Sequence, residues 1–173
     1  CPKLIAPAMN VNMYDNLATQ RNIERCKTYG IKFVEPGYGL LACGDTGRGK
    51  LADLNQIIAM IEYCLSAKPL KNKRVLVTAG PTQEALDPVR YITNHSSGKM
   101  GYALAKRAFE LGAKVTLITG PTGLDFPYGI KTIEIQTAQE MFTAVKEHYQ
   151  KQDFIIKAAA VGDYRVKEIA KDK

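Results

Sequence analysis

The sequence predicts an α/β fold in which parallel strands alternate with helices, and three observations support that prediction. Val75–Thr78 and Lys114–Thr119 are apolar, β-branched runs of the kind found in buried parallel strands. Between them, Tyr102–Leu111 has the apolar spacing of a helix and is followed by Gly112, a common helix terminator. A third strand pattern, Asp153–Ala158, continues the alternation. We therefore expect a parallel, Rossmann-like sheet, with ligands bound at the carboxyl ends of its strands.

Length and composition exclude several classes of protein. With 173 residues the chain can form one ordinary domain or parts of two. No apolar run approaches the ~20 residues of a membrane span, so we expect no membrane partner. The net charge of +7 is spread along the chain, which favours anionic small ligands over nucleic acid. The four cysteines have neither CxxC spacing nor histidines in metal register, which predicts reduced thiols, no metal ligands and a cytoplasmic location.

The first part of the chain predicts short elements joined by two unusual loops. A strand ends at Ala6, Asn12–Tyr29 is broadly helical, Ile31–Val34 is a strand, and Asp53 caps a helix over Leu54–Leu65. The apolar face expected for that last helix consists of Leu54, Ile57, Ile58, Ile61 and Leu65.

The two loops are the candidate functional segments of this part. Asn10 ends the loop Pro-Ala-Met-Asn and can either present its amide to a polar ligand or cap a helix. The glycine-rich stretch Gly37–Lys50 predicts a flexible flap, and it contains Cys43. That cysteine is either a reactive thiol or a passive small apolar residue.

In the second part, polar segments follow the predicted strands. Asn94–Gly101 lies before the helix and contains two serines, glycines and Lys99. This segment forms either a phosphate-binding loop or a plain capping loop. Lys99 itself is either a ligand or a solvated residue of the first turn. Asp163 follows the strand at Asp153–Ala158 and can accept from ligand hydroxyls or cap a turn. Thr137–Glu140 is a capping box that begins a helix whose expected core face is Met141, Phe142 and Val145. The helix at Tyr102–Leu111 is expected to bury Leu104, Ala108 and Leu111.

Three of these motifs resemble one family. The stretch TAGPTQEALDPVRYITNHSSGKMG at residues 78–101 is similar to the nucleotide-site segment of phosphopantothenate–cysteine ligase. PAMN and ACGDTGRG resemble the substrate-binding loop and the substrate clamp of the FMN-dependent phosphopantothenoylcysteine decarboxylase. Because bacteria usually fuse the two enzymes, the chain is identified as a member of this bifunctional coenzyme A biosynthesis family. Residues 1–70 would then be the end of a flavodoxin-like or Rossmann-like flavoprotein domain, and residues 71–173 the start of the ligase domain, joined by a linker near residue 70.

For the decarboxylase the resemblance implies FMN, a substrate contact from Asn10 and a proton-donating Cys43 that completes reduction of an enethiol intermediate. Ala42 and Gly44 would also line the substrate site. The family's histidine base and FMN-phosphate contacts lie earlier in the chain, so neither His95 nor His148 takes that role. Both ends of the sequence look cut, and we expect a fragment that is inactive by itself.

For the ligase the resemblance implies CTP with Mg²⁺, phosphopantothenate and cysteine as ligands, and an acyl-cytidylate intermediate. Asn94 would contact that intermediate, Arg90 would support the site and Ala160 would bind substrate. Gly162 stands where the family usually has alanine. The family further implies a ligase dimer and trimer-based decarboxylase assemblies. The residues implied for CTP are Ser96, Ser97, Gly98, Lys157, Ala158, Ala159, Asp163 and Lys173.

Two other functions stay open from the sequence. A non-catalytic flavin- or nucleotide-binding module could keep the same loops. An NAD-type oxidoreductase is disfavoured, because Thr119-Gly120-Pro121 stands where an acidic residue would hold the ribose.

Overall fold

The computed structural model describes residues 1–173, and the chain divides into two compact units, Cys1–Ser66 and Ala67–Lys173. No helix in either unit has both the length and the apolar character needed to cross a membrane.

The first unit begins with a short parallel pair, β1 (Leu4–Ile5) and β2 (Lys32–Phe33). Two helices connect them, α1 (Val11–Asp15) and α2 (Leu17–Thr28). The prediction of one continuous helix was wrong at Asn16, which has extended backbone angles. Its side chain accepts a hydrogen bond from the Ala18 N–H, so Asn16 caps a second helix where the first ends.

The glycine-rich stretch forms an antiparallel hairpin, β3 (Gly37–Leu40) and β4 (Thr46–Lys50). The stretch predicted as a flexible flap is therefore paired β-structure for most of its length. Glycine usually weakens strands, but here two glycines of β4, Gly47 and Gly49, are buried where neighbouring segments come too close for any side chain.

Helix α3 (Leu54–Leu65) has the predicted bounds, and Asp53 caps it by accepting from the Asn55 N–H. The predicted apolar face of this helix does not coincide with the residues that are buried. Met60 is the buried residue of this helix, whereas Leu54, Ile58, Ile61 and Leu65 are exposed.

The second unit contains a four-stranded, fully parallel sheet, which confirms the predicted fold class. Its strands stand in the order β10-β5-β8-β9. Their bounds are β5 (Arg74–Ala79), β8 (Lys114–Thr119), β9 (Lys131–Glu134) and β10 (Phe154–Lys157). The last strand thus lies beside the first, so the direction of winding reverses between β5 and β10, which is where ligands bind in open α/β sheets.

Two helices cover opposite faces of this sheet. Helix α4 (Lys99–Glu110) packs on Val75, Val77 and Leu117, and α5 (Ala138–His148) packs on Leu76 and Ile118. Because side chains alternate along a strand, these two sets point to different faces. A 3₁₀ turn, Tyr149–Lys151, follows α5, and a small hairpin, β6 (Gln83–Ala85) with β7 (Tyr91–Thr93), lies within the loop after β5.

The predicted core faces of these helices were correct only in part. In α4 Ala108 is buried, but Leu104 is 37% exposed and the neighbouring Tyr102 and Ala105 are buried instead. In α5 Met141 is buried, whereas Phe142 is 60% exposed. Apolar spacing locates a helical stripe to within one position, and tertiary packing decides which residue of the stripe is covered.

Candidate functional site

An open cavity of about 490 Å³ in the first unit contains the predicted residues Asn10 and Cys43. Leu40, Leu41 and Leu51 give it an apolar wall, and Lys50 supplies a cation. The rest of its lining is Met9, Ala42 and Gly49.

The Asn10 side chain caps a helix, as one of the two predicted alternatives has it, and also contacts Cys43 and Asp45. Its Oδ1 accepts from the Asn12 N–H at 2.8 Å and so caps α1. Its Nδ2 donates to Cys43 Sγ at 3.2 Å and to Asp45 Oδ2 at 3.4 Å. The helix cap fixes the amide orientation, which directs the two N–H groups toward the cysteine.

Cys43 lies in the tight turn that joins β3 to β4. The Gly44 N–H donates to the Leu41 carbonyl at 2.9 Å, and the Leu41 N–H donates to the Asp45 carbonyl at 2.8 Å. Gly44 has φ +86°, a left-handed conformation that glycine adopts without strain. The turn brings the thiol of Cys43 within 3.5 Å of Asp45 Oδ2.

The hairpin is held against the Asn10 loop by direct backbone contact. The Met9 N–H donates to the Gly49 carbonyl at 2.9 Å, and a Cβ at Gly49 would overlap the Met9 carbonyl oxygen. Gly47 would place a Cβ 2.5 Å from Val11 Cγ2. These glycines therefore set the short distance between the two predicted substrate segments.

A second candidate site lies in the second unit, where the loops after β5 and β10 meet. Pro81 and Ala160 form a parallel bridge, the Thr82 N–H donates to the Ala160 carbonyl at 3.2 Å, and the Ala160 N–H donates to the Gly80 carbonyl at 2.9 Å. Thr82 is fully buried, and its Oγ1 accepts from the Gly162 N–H at 2.8 Å.

Asn94 fastens the hairpin loop to this junction. Its Nδ2 donates to the carbonyls of Ala160 and Val161, at 3.2 Å each. The preceding Thr93 donates from Oγ1 to the Thr82 carbonyl at 2.7 Å. The structure thus joins two predicted residues, Asn94 and Ala160, that are far apart in sequence.

Arg90 holds the hairpin together. Its Nε donates to Asp87 Oδ2 at 2.6 Å, and its backbone carbonyl accepts from the Leu86 N–H at 2.8 Å. Asp87 is buried and also accepts from the Val89 and Arg90 N–H groups. Those backbone donors, beginning with Val89, and the Arg90 guanidinium hold the pKa of the Asp87 carboxyl below its ordinary value in spite of its burial.

Helix α4 begins at Gly98 without a side-chain cap. Gly98 has φ +73° and lies so close to the next loops that a Cβ would come within 2.7 Å of Thr122 Cγ2 and 3.4 Å of the Gly80 Cα. Ser96 Oγ accepts from the Gly98 N–H at 3.4 Å, while Ser97 and Lys99 are exposed. No side chain caps the first turn, so its N–H groups lack side-chain partners, and the phosphate-binding alternative stays a prediction.

The remaining predicted nucleotide residues differ in burial. Lys157, Asp163 and Lys173 are exposed, and Ala158 and Ala159 are half-buried, with Ala159 packed toward α5. A cavity of about 430 Å³ at the ends of β8 and β9 contains none of the predicted residues. The chain has no group of three or more His, Cys, Asp or Glu side chains that could hold a metal ion.

The structure adds two residues that the sequence did not single out. Asp45 contacts both Asn10 and Cys43. Its position two residues after the cysteine is the sequence feature that could have indicated this contact. Thr82 ties the β5 loop to Gly162, a contact across 80 residues that no local pattern could indicate.

Comparison with known proteins gives consistent results for both units. Residues 70–173 match the family described as DNA/pantothenate metabolism flavoprotein C-terminal domain, and residues 1–66 match the family described as Flavoprotein. A relative from Vibrio vulnificus, "Coenzyme A biosynthesis bifunctional protein CoaBC", is 49% identical over 99% of this chain and 43% of its own length. The Bacillus subtilis protein of the same name is 48% identical over 97% of the chain and 42% of its own length.

A solved structure, the C-terminal domain of a CoaBC protein, has 53% identity and a TM-score of 0.57 over 60% of this chain and 53% of that one. The chain therefore spans less than half the length of the two curated relatives.

Proposed function

Because this chain belongs to the DNA/pantothenate metabolism flavoprotein family, we propose that it carries parts of two consecutive active sites of coenzyme A synthesis. The second unit would contribute to CTP-dependent coupling of phosphopantothenate to cysteine. The first would contribute to FMN-dependent decarboxylation of the resulting phosphopantothenoylcysteine to phosphopantetheine. The resemblance of both loop sets and the names of the relatives support this assignment.

One observation carries the proposal: Asn10 donates to Cys43 inside a single cavity. The two residues are 33 positions apart and belong to the two motifs that the resemblance connects to one substrate. A module that had only kept its loops would have no need to hold an amide and a thiol in contact at the mouth of a cavity.

In the decarboxylase site this chain supplies the substrate-facing side. The apolar wall suits the aliphatic part of a pantothenoyl chain, Asn10 can hydrogen-bond its amide groups, and Cys43 can donate a proton to carbon. Bound FMN would supply the oxidation that eases loss of carboxylate and the hydride that is later returned. Lys50 is the single cation of the lining, so the cavity is no cradle for the flavin phosphate and we assign no FMN contact to it.

In the ligase site no side chain caps the first turn of α4, and Gly80 and Gly98 lie close together. Backbone N–H groups of this turn would therefore be available to bind the phosphates of CTP. Mg²⁺ would be held mainly through those phosphates. The carboxylate of phosphopantothenate attacks the α-phosphate and expels pyrophosphate. The amine of cysteine then attacks the acyl-cytidylate, giving the amide and CMP.

In that second step Asn94 would contact the acyl-cytidylate, and its hydrogen bond to the Ala160 carbonyl, another residue assigned to the substrate, supports this role. Arg90, with its partner Asp87, fixes the hairpin that carries Asn94. We further propose that residues 1–70 and 71–173 belong to separate domains, that the protein works in the cytoplasm without nucleic-acid or membrane partners, and that it is a homo-oligomer.

The test is turnover by the full-length protein. With CTP, Mg²⁺, phosphopantothenate and cysteine we expect pyrophosphate release, and with FMN we expect carbon dioxide and phosphopantetheine. Binding of FMN and CTP without either product would instead establish the non-catalytic module. The 173-residue chain by itself should release no pyrophosphate, and robust CTP-dependent release from it would show that the site is misplaced.

A further inference from the structure

We propose that Asp45 is a positioning residue for Cys43, holding the thiol where it can act as the proton donor. The proposal rests on the proposed decarboxylase function and adds to it a residue that the family motifs did not assign. Asp45 does not line the cavity itself, so its effect would pass through the two residues that do.

Three side chains form a closed set of contacts. Asn10 Nδ2 lies 3.2 Å from Cys43 Sγ and 3.4 Å from Asp45 Oδ2, and the Cys43 thiol lies 3.5 Å from the same Asp45 oxygen. Asn10 cannot rotate freely, because its Oδ1 caps α1. Its two N–H groups are therefore donors, and Asp45 is the acceptor in the set, so among these three side chains the thiol hydrogen has Asp45 as its acceptor.

This arrangement fits the demands of proton donation. When Cys43 protonates the substrate carbon, the S–H bond breaks, a C–H bond forms and a thiolate remains. The Asn10 N–H beside the sulfur can hydrogen-bond that thiolate. Water then returns a proton to sulfur. A thiol whose rotamer is held by Asp45 begins each cycle in one orientation, whereas an unheld thiol at an exposed turn would sample several.

The backbone of the turn should survive changes to this side chain. The hydrogen bond that closes the turn is accepted by the Asp45 backbone carbonyl, not by its carboxylate. Asp45→Ala removes the acceptor, and Asp45→Asn keeps one acceptor oxygen at nearly the same size. Asp15→Ala, an exposed carboxylate at the end of α1, is the matched control.

The first measurement is steady-state kinetics and product analysis of the full-length protein with FMN and phosphopantothenoylcysteine. We expect Asp45→Ala to lower kcat for the saturated product by about ten- to hundredfold, less than the roughly 10²–10⁴-fold effect of losing a general acid outright, because Cys43 is still present. KM should change by less than about threefold, and a larger share of unsaturated product should appear. Asp45→Asn should fall between Asp45→Ala and the wild type. An unchanged kcat and product ratio, or an effect on KM alone, would overturn the positioning role.

The second measurement does not depend on turnover. Without substrate, alkylation of Cys43 by iodoacetamide is followed by mass spectrometry, with Cys26 as the internal reference. A thiol held in one rotamer by Asp45 must leave that contact to turn toward the reagent, so the contact should slow the reaction. Asp45→Ala should therefore raise the Cys43 rate about threefold or more, and an unchanged rate would show that the contact does not hold the thiol. A faster Cys43 rate in Asp45→Ala, together with a wild-type protein that makes no product, would overturn the proposed function while supporting the contact.

Discussion

Replacement of Asn94 by aspartate tests the ligase site most directly. The Asn94 amide donates two hydrogen bonds of 3.2 Å to the carbonyls of Ala160 and Val161. Aspartate keeps the size, removes both donors and places a negative charge against two carbonyl oxygens. Because Asn94 is an exposed loop residue, the protein should stay folded.

The magnitude follows from those two contacts. A neutral hydrogen bond contributes about 0.5–1.5 kcal/mol net, so loss of both costs about 1–3 kcal/mol. This corresponds to roughly 5- to 150-fold in a rate that depends on the two Asn94 contacts. Asn94→Ala should show a loss of that size. Asn94→Asp also repels the phosphoryl group and should lose more than Asn94→Ala, because a negative charge is added to the loss of both donors.

The loss should fall on the second half-reaction, attack by cysteine on the acyl-cytidylate. Quenched-flow measurements with labelled CTP on the full-length protein should show the intermediate accumulating in both variants. Asn55→Asp, the same substitution at an exposed position of α3, serves as the control and should behave as the wild type. Product formation at the normal rate, or failure to form any intermediate, would refute the role of Asn94.

The other predictions concern the first site and the stability of each unit. Cys43→Ala in the full-length protein should bind FMN and be reduced by substrate normally but should not release saturated product; a normal yield, compared with Cys26→Ala, would remove the proton-donor role. Asp87→Asn should make the free energy of unfolding, measured by circular dichroism, fall less steeply as the pH is lowered. Because the pKa of Asp87 is depressed on folding, its contribution is present above the ordinary carboxyl value and is lost as pH falls through the folded pKa; an identical acid limb in the variant would contradict this. Gly49→Ala should lower stability by about 1–3 kcal/mol, since φ is +143° and the new Cβ would meet the Met9 carbonyl; an unchanged denaturant midpoint would show that the loop accommodates a side chain.

Local signals in the sequence were sufficient for several elements. β8 and α3 have the predicted bounds, because an apolar run or a capped apolar stripe lies within a few neighbouring residues. The capping box is present as predicted, with Thr137 accepting from the Glu140 N–H and Glu140 accepting from the Thr137 N–H. Asp53 likewise caps α3 as expected.

Features that depend on contacts between residues far apart in the sequence were not predictable. Gly47 and Gly49 resemble loop residues in the sequence. They lie in a strand at positions where Val11 and Met9 leave no room for a side chain. Helix α4 begins three residues before its predicted start, since the Gly98 conformation is set by Thr122 and Gly80. In the same way, motif resemblance named Asn10 and Cys43, but only their geometry reveals Asp45.

The strand order also dictates when the ligase site can form during folding. β5, α4 and β8 are neighbours along the chain, so their contacts close short loops, whereas β10 reaches β5 from about 80 residues away. Closing a longer loop costs more chain entropy before any contact compensates for it. The contact between Asn94 and Ala160 therefore needs β10 to dock on β5. The proposed nucleotide site thus depends on the strand pairing with the longest sequence separation in this sheet.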